Sequence, residues 1–126
     1  MSRFLLICLG GAAGTGARYL ISLWSAAAFG TSFPGTLLVN VAGSFFLAFV
    51  MQLAGTTAAL SEDLRLALTV GVMGGFTTYS TFNQETTLML RAGAWTTGSL
   101  YVVATLLLCL LAGLAGAVLA RAMVTH

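Results

Sequence analysis

Charge is what this sequence has least of. Its 126 residues include five basic side chains, all arginine, three acidic ones and a single histidine, and 6% are charged against 59% hydrophobic. A soluble domain carries about a quarter charged residues, so this chain has too little polar surface to stay dispersed in water, and lipid is the solvent that fits. The other shortages exclude chemistry. Three acids and one terminal histidine, His126, leave nothing for acid–base or nucleophilic catalysis, so the chain reads as no enzyme. Without lysine, the glycines at Gly71–Gly75 cannot form a phosphate loop. Cys8 and Cys109 lie inside apolar runs, where reduced, buried thiols are expected, and with His126 they make no zinc site. Arg3, Arg18, Arg65, Arg91 and Arg121 are dispersed rather than clustered, which excludes a nucleic-acid face.

Long apolar runs fill the rest. A helix needs roughly 20 apolar residues to cross a bilayer, and four stretches qualify: 4–29, 35–55, 64–90 and 95–120. The connections are short, so residues 1–126 read as one four-helix membrane domain. Arg3 followed by 4–9 and small residues faintly resembles a secretory signal, but the apolar pattern continues to Phe29 and favours a span. Pro34 suits a first helical turn, and Ser61-Glu62-Asp63 reads as a helix cap with acids at the dipole's positive end. Gly10 with Gly14, and Ala112 with Gly116, have the small-xxx-small spacing that lets helix backbones approach closely. With a cytoplasmic N-terminus, Arg3, Arg65 and Arg121 fall inside and Arg91 outside, a slight bias that would let copies insert both ways and pair antiparallel.

The third stretch is irregular. Its middle, GGFTTYSTFN from Gly74 to Asn83, combines adjacent glycines with a run of hydroxyl residues. Glycine costs about 1 kcal/mol against alanine in a helix, and Ser and Thr compete for backbone hydrogen bonds. This predicts a break near Gly74–Tyr79, exposing carbonyls of the kind that coordinate cations; a close-packing notch in a straight helix fits the pattern equally well. Thr36, Asn40 and Ser44 share one helix face, where Asn40 can donate to an anion or clamp two helices. Tyr101, Thr105 and Cys109 form a second stripe, with back-bonding to the preceding turn as the plain alternative. Phe76, Tyr79 and Phe82 are spaced by three; their positive ring edges would favour a small anion without fixed charge, unless they simply pack. Arg18, within the first span, would either raise anion concentration at a pore mouth or snorkel to headgroups. Glu85 would sit at the opposite mouth or pair with Arg91.

The run GGFTTYSTFNQE from Gly74 to Glu85 resembles the signature of the Fluc (CrcB-like) fluoride channels. GTLLVN ending at Asn40, followed by Gly43, and Gly10-Gly11 with Gly14, Arg18 and Tyr19, resemble that family's other motifs in the same order. The resemblance implies an all-α membrane protein of four transmembrane helices, the third broken mid-membrane, forming an antiparallel dual-topology homodimer in the bacterial inner membrane. It implies two passive fluoride paths that export the anion and give resistance, with fluoride, lipid and a second copy as partners. It further implies a structural Na⁺ held by the Gly74 and Thr77 carbonyls of both subunits. Asn40 would donate to fluoride, and Phe82 and Tyr79 would present ring edges, tyrosine standing where the family pattern has phenylalanine. Ser80, Thr81, Tyr101 and Thr105 would line the path, Cys109 would stand where a hydroxyl is expected, and Arg18 would sit in the vestibule. Two other classes compete: a small multidrug exporter, which needs an intramembrane carboxylate absent from the first span, and a non-transporting structural membrane protein.

Overall fold

A computed structural model describes residues 2–57 and 60–125, so the His126 reading lies outside the described residues. All elements among the described residues are helical: α1 (Ser2–Phe29), α2 (Phe33–Thr56), α3 (Glu62–Leu66), a π-helical segment (Ala67–Met73), α4 (Gly74–Phe76), α5 (Tyr79–Arg91) and α6 (Trp95–Val124). Helices α1, α2 and α6 are long and apolar enough to cross a membrane. The stretch 62–91 is divided, and no piece of it reaches that length.

Each boundary has a local cause. Pro34 occupies the first turn of α2, where its missing N–H would have had no partner anyway. Gly30, at φ +70°, turns the chain out of α1. The Ser25 hydroxyl then fastens the α1–α2 corner, donating to the Thr31 carbonyl at 2.9 Å and accepting from the Gly35 N–H at 3.0 Å. Ser61 caps α3, its hydroxyl accepting from the Leu64 N–H at 3.3 Å. The acids beside it reach beyond their own helix: Arg3 at the start of α1 contacts Asp63 at 2.6 Å and Glu62 at 3.1 Å. The starts of α1 and α3 therefore lie together, and the two run in the same direction.

Glycine sets how close the helices come. A Cβ on Gly10 would lie 2.6 Å from the Ala67 carbonyl oxygen, one on Gly71 2.7 Å from that of Ile7, and one on Gly14 would overlap the Val72 carbonyl oxygen. The backbones of α1 and the π-helical segment are thus in direct contact, the arrangement that small-xxx-small spacing permits. Gly116 plays the same part between α6 and α2, against the Phe45 carbonyl; its spacing partner Ala112 is only half-buried. The π-helical winding was not expected, because Ala, Leu, Thr, Val and Met suit either winding and carry no signal for the wider turn.

Burial is inverted relative to a soluble protein. Ser25, Thr36, Thr78, Thr86 and Thr105 are buried, whereas Phe4, Leu9, Leu20, Leu110, Leu114 and Val118 are more than half exposed. Hydroxyls inside and hydrocarbon outside is the distribution expected of helices whose solvent is lipid.

Candidate functional site

The site is organised around two residues that leave the helix. Thr77 (φ −81°, ψ 157°) and Thr78 (φ −153°, ψ 105°) are extended between α4 and α5. The Thr77 N–H and hydroxyl both still reach the Met73 carbonyl, at 3.0 and 2.9 Å. The Thr78 N–H does not continue the ladder. It donates to the Asn40 side-chain carbonyl at 2.8 Å, and the Asn40 amide N–H₂ donates back to the Thr78 carbonyl at 3.2 Å. One side chain on α2 therefore satisfies both polar groups of a displaced residue, each of which would cost roughly 1–3 kcal/mol if buried unpaired. Gly43, one turn on, leaves room for the Thr77 methyl group. The Thr78 hydroxyl caps α5, accepting from the Thr81 N–H at 3.3 Å and donating to the Thr81 hydroxyl at 2.9 Å.

Two cavities flank this pair. The larger, an open groove of about 410 Å³, takes polar groups from Asn40, Ser44, Thr77, Thr105 and Cys109 and aromatic rings from Tyr79 and Phe82. Among the described residues, no charged side chain lines it. Phe82 is 7% exposed and Tyr79 76%, with ring centroids 5.9 Å apart. Phe82 meets Tyr101 edge-on at 5.2 Å, and Tyr101 meets Phe33 at 5.6 Å. Phe76 does not join them: the three-residue aromatic spacing holds only in an unbroken helix, and the extended pair diverts Phe76 toward Gly43. The smaller cavity, about 250 Å³, is lined by Arg18 with Thr15, Tyr19, Ser22, Thr78 and Thr81. Arg18 is half-buried there, and among the described residues it has no carboxylate partner.

Glu85 lies within hydrogen-bonding reach of three hydroxyls. Its carboxylate accepts from Ser32 at 2.6 Å, Thr36 at 3.0 Å and Tyr101 at 2.8 Å. Among the described residues Glu85 makes no ion pair with Arg91: six residues apart on α5, the two do not share a helix face. Ser32 was missed in the sequence, although Ser32 and Thr36 have the four-residue spacing of a shared helix face.

The hydroxyl stripes divide in an informative way. Ser22, Ser44, Thr69, Thr77 and Thr86 each donate to the carbonyl four residues earlier, the ordinary fate of a hydroxyl in a helix. Thr105 does not. The residue is 6% exposed, and among the described residues its hydroxyl, buried on the groove wall, has no hydrogen-bond partner. Cys109, one turn further, is half-buried and reduced on the same wall. Thr81 instead lines the Arg18 cavity, and Ser80 is exposed, its hydroxyl 3.4 Å from that of Thr78.

The residues expected to hold a cation can be tested on the backbone. Because the Thr78 N–H turns to Asn40, the Gly74 carbonyl loses the donor that a continuous helix would supply. Gly74 is exposed, with nothing crowding its Cα. No group of three His, Cys, Asp or Glu side chains that could hold a metal occurs among the described residues, so any cation here must be one that accepts backbone oxygen. Sodium fits that donor set.

Comparison with known proteins adds the last observation. Residues 5–117 match the family model described as CrcB-like protein, Camphor Resistance (CrcB). The chain is similar to a fluoride-specific ion channel FluC of Anaeromyxobacter dehalogenans (strain 2CP-1), 54% identical over 122 residues, covering 96% of this chain and 97% of the relative. A protein of the same name from Sorangium cellulosum (strain So ce56) is 52% identical over 125 residues, covering 98% of each. One from Geobacter sulfurreducens is 45% identical over 122 residues, covering 96% of this chain and 98% of the relative.

Proposed function

The chain belongs to the CrcB-like family, and from that premise we propose how its groove passes fluoride. The protein is a membrane-spanning fluoride-specific ion channel and not an enzyme. The observation that carries the mechanism is that the groove offers hydrogen-bond donors and ring edges but no fixed charge. A dehydrated fluoride needs partners along its whole route, each weak enough to release it, because conduction fails where any one site binds too well. The Asn40 amide has a second N–H beyond the one given to Thr78, the Thr105 hydroxyl has no other partner, and the Tyr79 and Phe82 rings have positive edges. Arg18, unpaired in its own cavity on the far side of Thr78, raises the local anion concentration without entering the path. The Glu85 carboxylate, held by Ser32, Thr36 and Tyr101, keeps Tyr101 fixed against Phe82.

In this reading the stretch 62–91 crosses the membrane as a fourth span, with Thr77–Thr78 as its break near the midplane. Lipid tolerates such a break only where protein or a wet cavity covers it, and Asn40 on one side with the groove on the other meets that condition. Gly74 and Tyr79 are exposed on the single chain, which supports a second, antiparallel copy covering them. The Gly74 and Thr77 carbonyls of both copies would hold one sodium ion, which offsets the mutual repulsion of converging carbonyl dipoles. The plasma membrane of a bacterium is the setting: neutral hydrogen fluoride enters, dissociates in the cytoplasm, and the membrane potential drives the trapped anion out through the channel.

The test is efflux from liposomes reconstituted with the purified protein and loaded with fluoride or chloride, read with ion-selective electrodes. Fluoride release without chloride release is expected. No fluoride release, or cation uptake driven by a proton gradient, overturns the reading.

A further inference from the structure

We propose that Cys109 is a covalent modification site for small thiol-reactive electrophiles, and that adding a group there closes the groove. The proposal rests on the reading of the groove as the fluoride path. Cys109 is reduced, half-buried and part of the groove wall. One helical turn before it, on the same face, Thr105 carries a buried hydroxyl with no partner in a chain whose comparable helix hydroxyls back-bond to their own helix. An unsatisfied donor four residues from a free thiol marks a place built to receive a guest rather than closed by packing. The thiol gives that place a reactivity that a hydroxyl would lack, since a thiolate is a strong nucleophile and a neutral hydroxyl is not. Asn40, Tyr79 and Phe82 line the same groove, so a group attached at Cys109 stands among the side chains that replace the ion's hydration.

The reagent is methyl methanethiosulfonate, which is small and uncharged. Cys109 loses its proton to water, and the thiolate sulfur attacks the sulfenyl sulfur of the reagent. A sulfur–sulfur bond forms, the bond between the reagent's two sulfurs breaks, and methanesulfinate leaves with the electron pair. The product is a methylthio disulfide on Cys109.

The experiment uses the full chain in liposomes with Cys8→Ser, because Cys8 is exposed among the apolar residues of α1 and outside the groove. One methylthio group per chain by intact mass is expected, with fluoride efflux falling at least about tenfold and recovering when dithiothreitol removes the group. Cys8→Ser combined with Cys109→Ser or Cys109→Ala should be insensitive to the reagent. Cys109 that stays unlabelled, full labelling with unchanged efflux, or equal block in the double variants overturns the proposal. Absence of efflux before any reagent is added is instead a failure of the fluoride reading itself, and labelling by mass then still decides whether the groove admits the electrophile.

Discussion

Replacing Asn40 with alanine separates two roles that this side chain combines. Its amide meets both the N–H and the carbonyl of Thr78, at 2.8 and 3.2 Å. Leaving both buried groups unpaired would cost about 2–6 kcal/mol, from roughly 1–3 kcal/mol each. The N–H has a fallback, since it can return to the Gly74 carbonyl and rejoin the helical ladder. The Thr78 carbonyl loses the amide donor of Asn40 without such a replacement from the α4 side, so the expected net loss is about 1–3 kcal/mol. The recovered helical bond would also straighten 74–79 and remove the bend that shapes the groove. Asn40→Ala should therefore unfold at lower SDS fraction in mixed micelles, lose slow amide exchange at Thr78, and pass fluoride at least about tenfold more slowly. Asn40→Asp is the informative companion: it keeps an acceptor for the Thr78 N–H but sets a carboxylate against the Thr78 carbonyl, and it should fail as well. Unchanged micelle stability and unchanged Thr78 protection in Asn40→Ala would refute the splint. Lost efflux with intact stability would assign Asn40 to the ion alone.

Three further outcomes follow from the packing. Thr105→Val removes a buried, unpartnered hydroxyl at nearly constant volume, so stability should hold or rise by about 1 kcal/mol while efflux falls; a lower unfolding midpoint would mean the hydroxyl serves the fold. Gly14→Ala drives a Cβ into the Val72 carbonyl oxygen and should cost about 1–3 kcal/mol or more, whereas Gly16→Ala, with nothing within 4 Å, should be neutral or stabilising by up to about 1 kcal/mol. Equal SDS midpoints for the two variants would show that α1 does not touch the π-helical segment at Gly14. Tyr79→Phe removes a hydroxyl from a ring that is 76% exposed on the single chain; efflux at or above the unsubstituted rate is expected, and a fall would mean that the hydroxyl serves the ion.

Composition and spacing alone determined that the chain belongs in lipid, that α1, α2 and α6 are long helices, and that Gly10 and Gly14 carry a close contact. These are properties of one chain in one solvent: 6% charge cannot cover a surface in water, and a side chain's absence is visible wherever glycine stands. Hydrogen-bond assignment was a different matter. By its residues alone Asn40 reads more readily as a helix clamp than as an ion donor, Glu85 as either a mouth residue or a partner for Arg91, and Tyr101, Thr105 and Cys109 look alike on one stripe. Only the tertiary structure joined Asn40 to Thr78 and Glu85 to Ser32, Thr36 and Tyr101, and left Thr105 with nothing. The physical reason is that a polar side chain in a low-dielectric interior takes whichever partner the neighbouring helix presents. That choice depends on helix separation and rotation, which glycine contacts and the π-helical turns set across residues far apart in the chain.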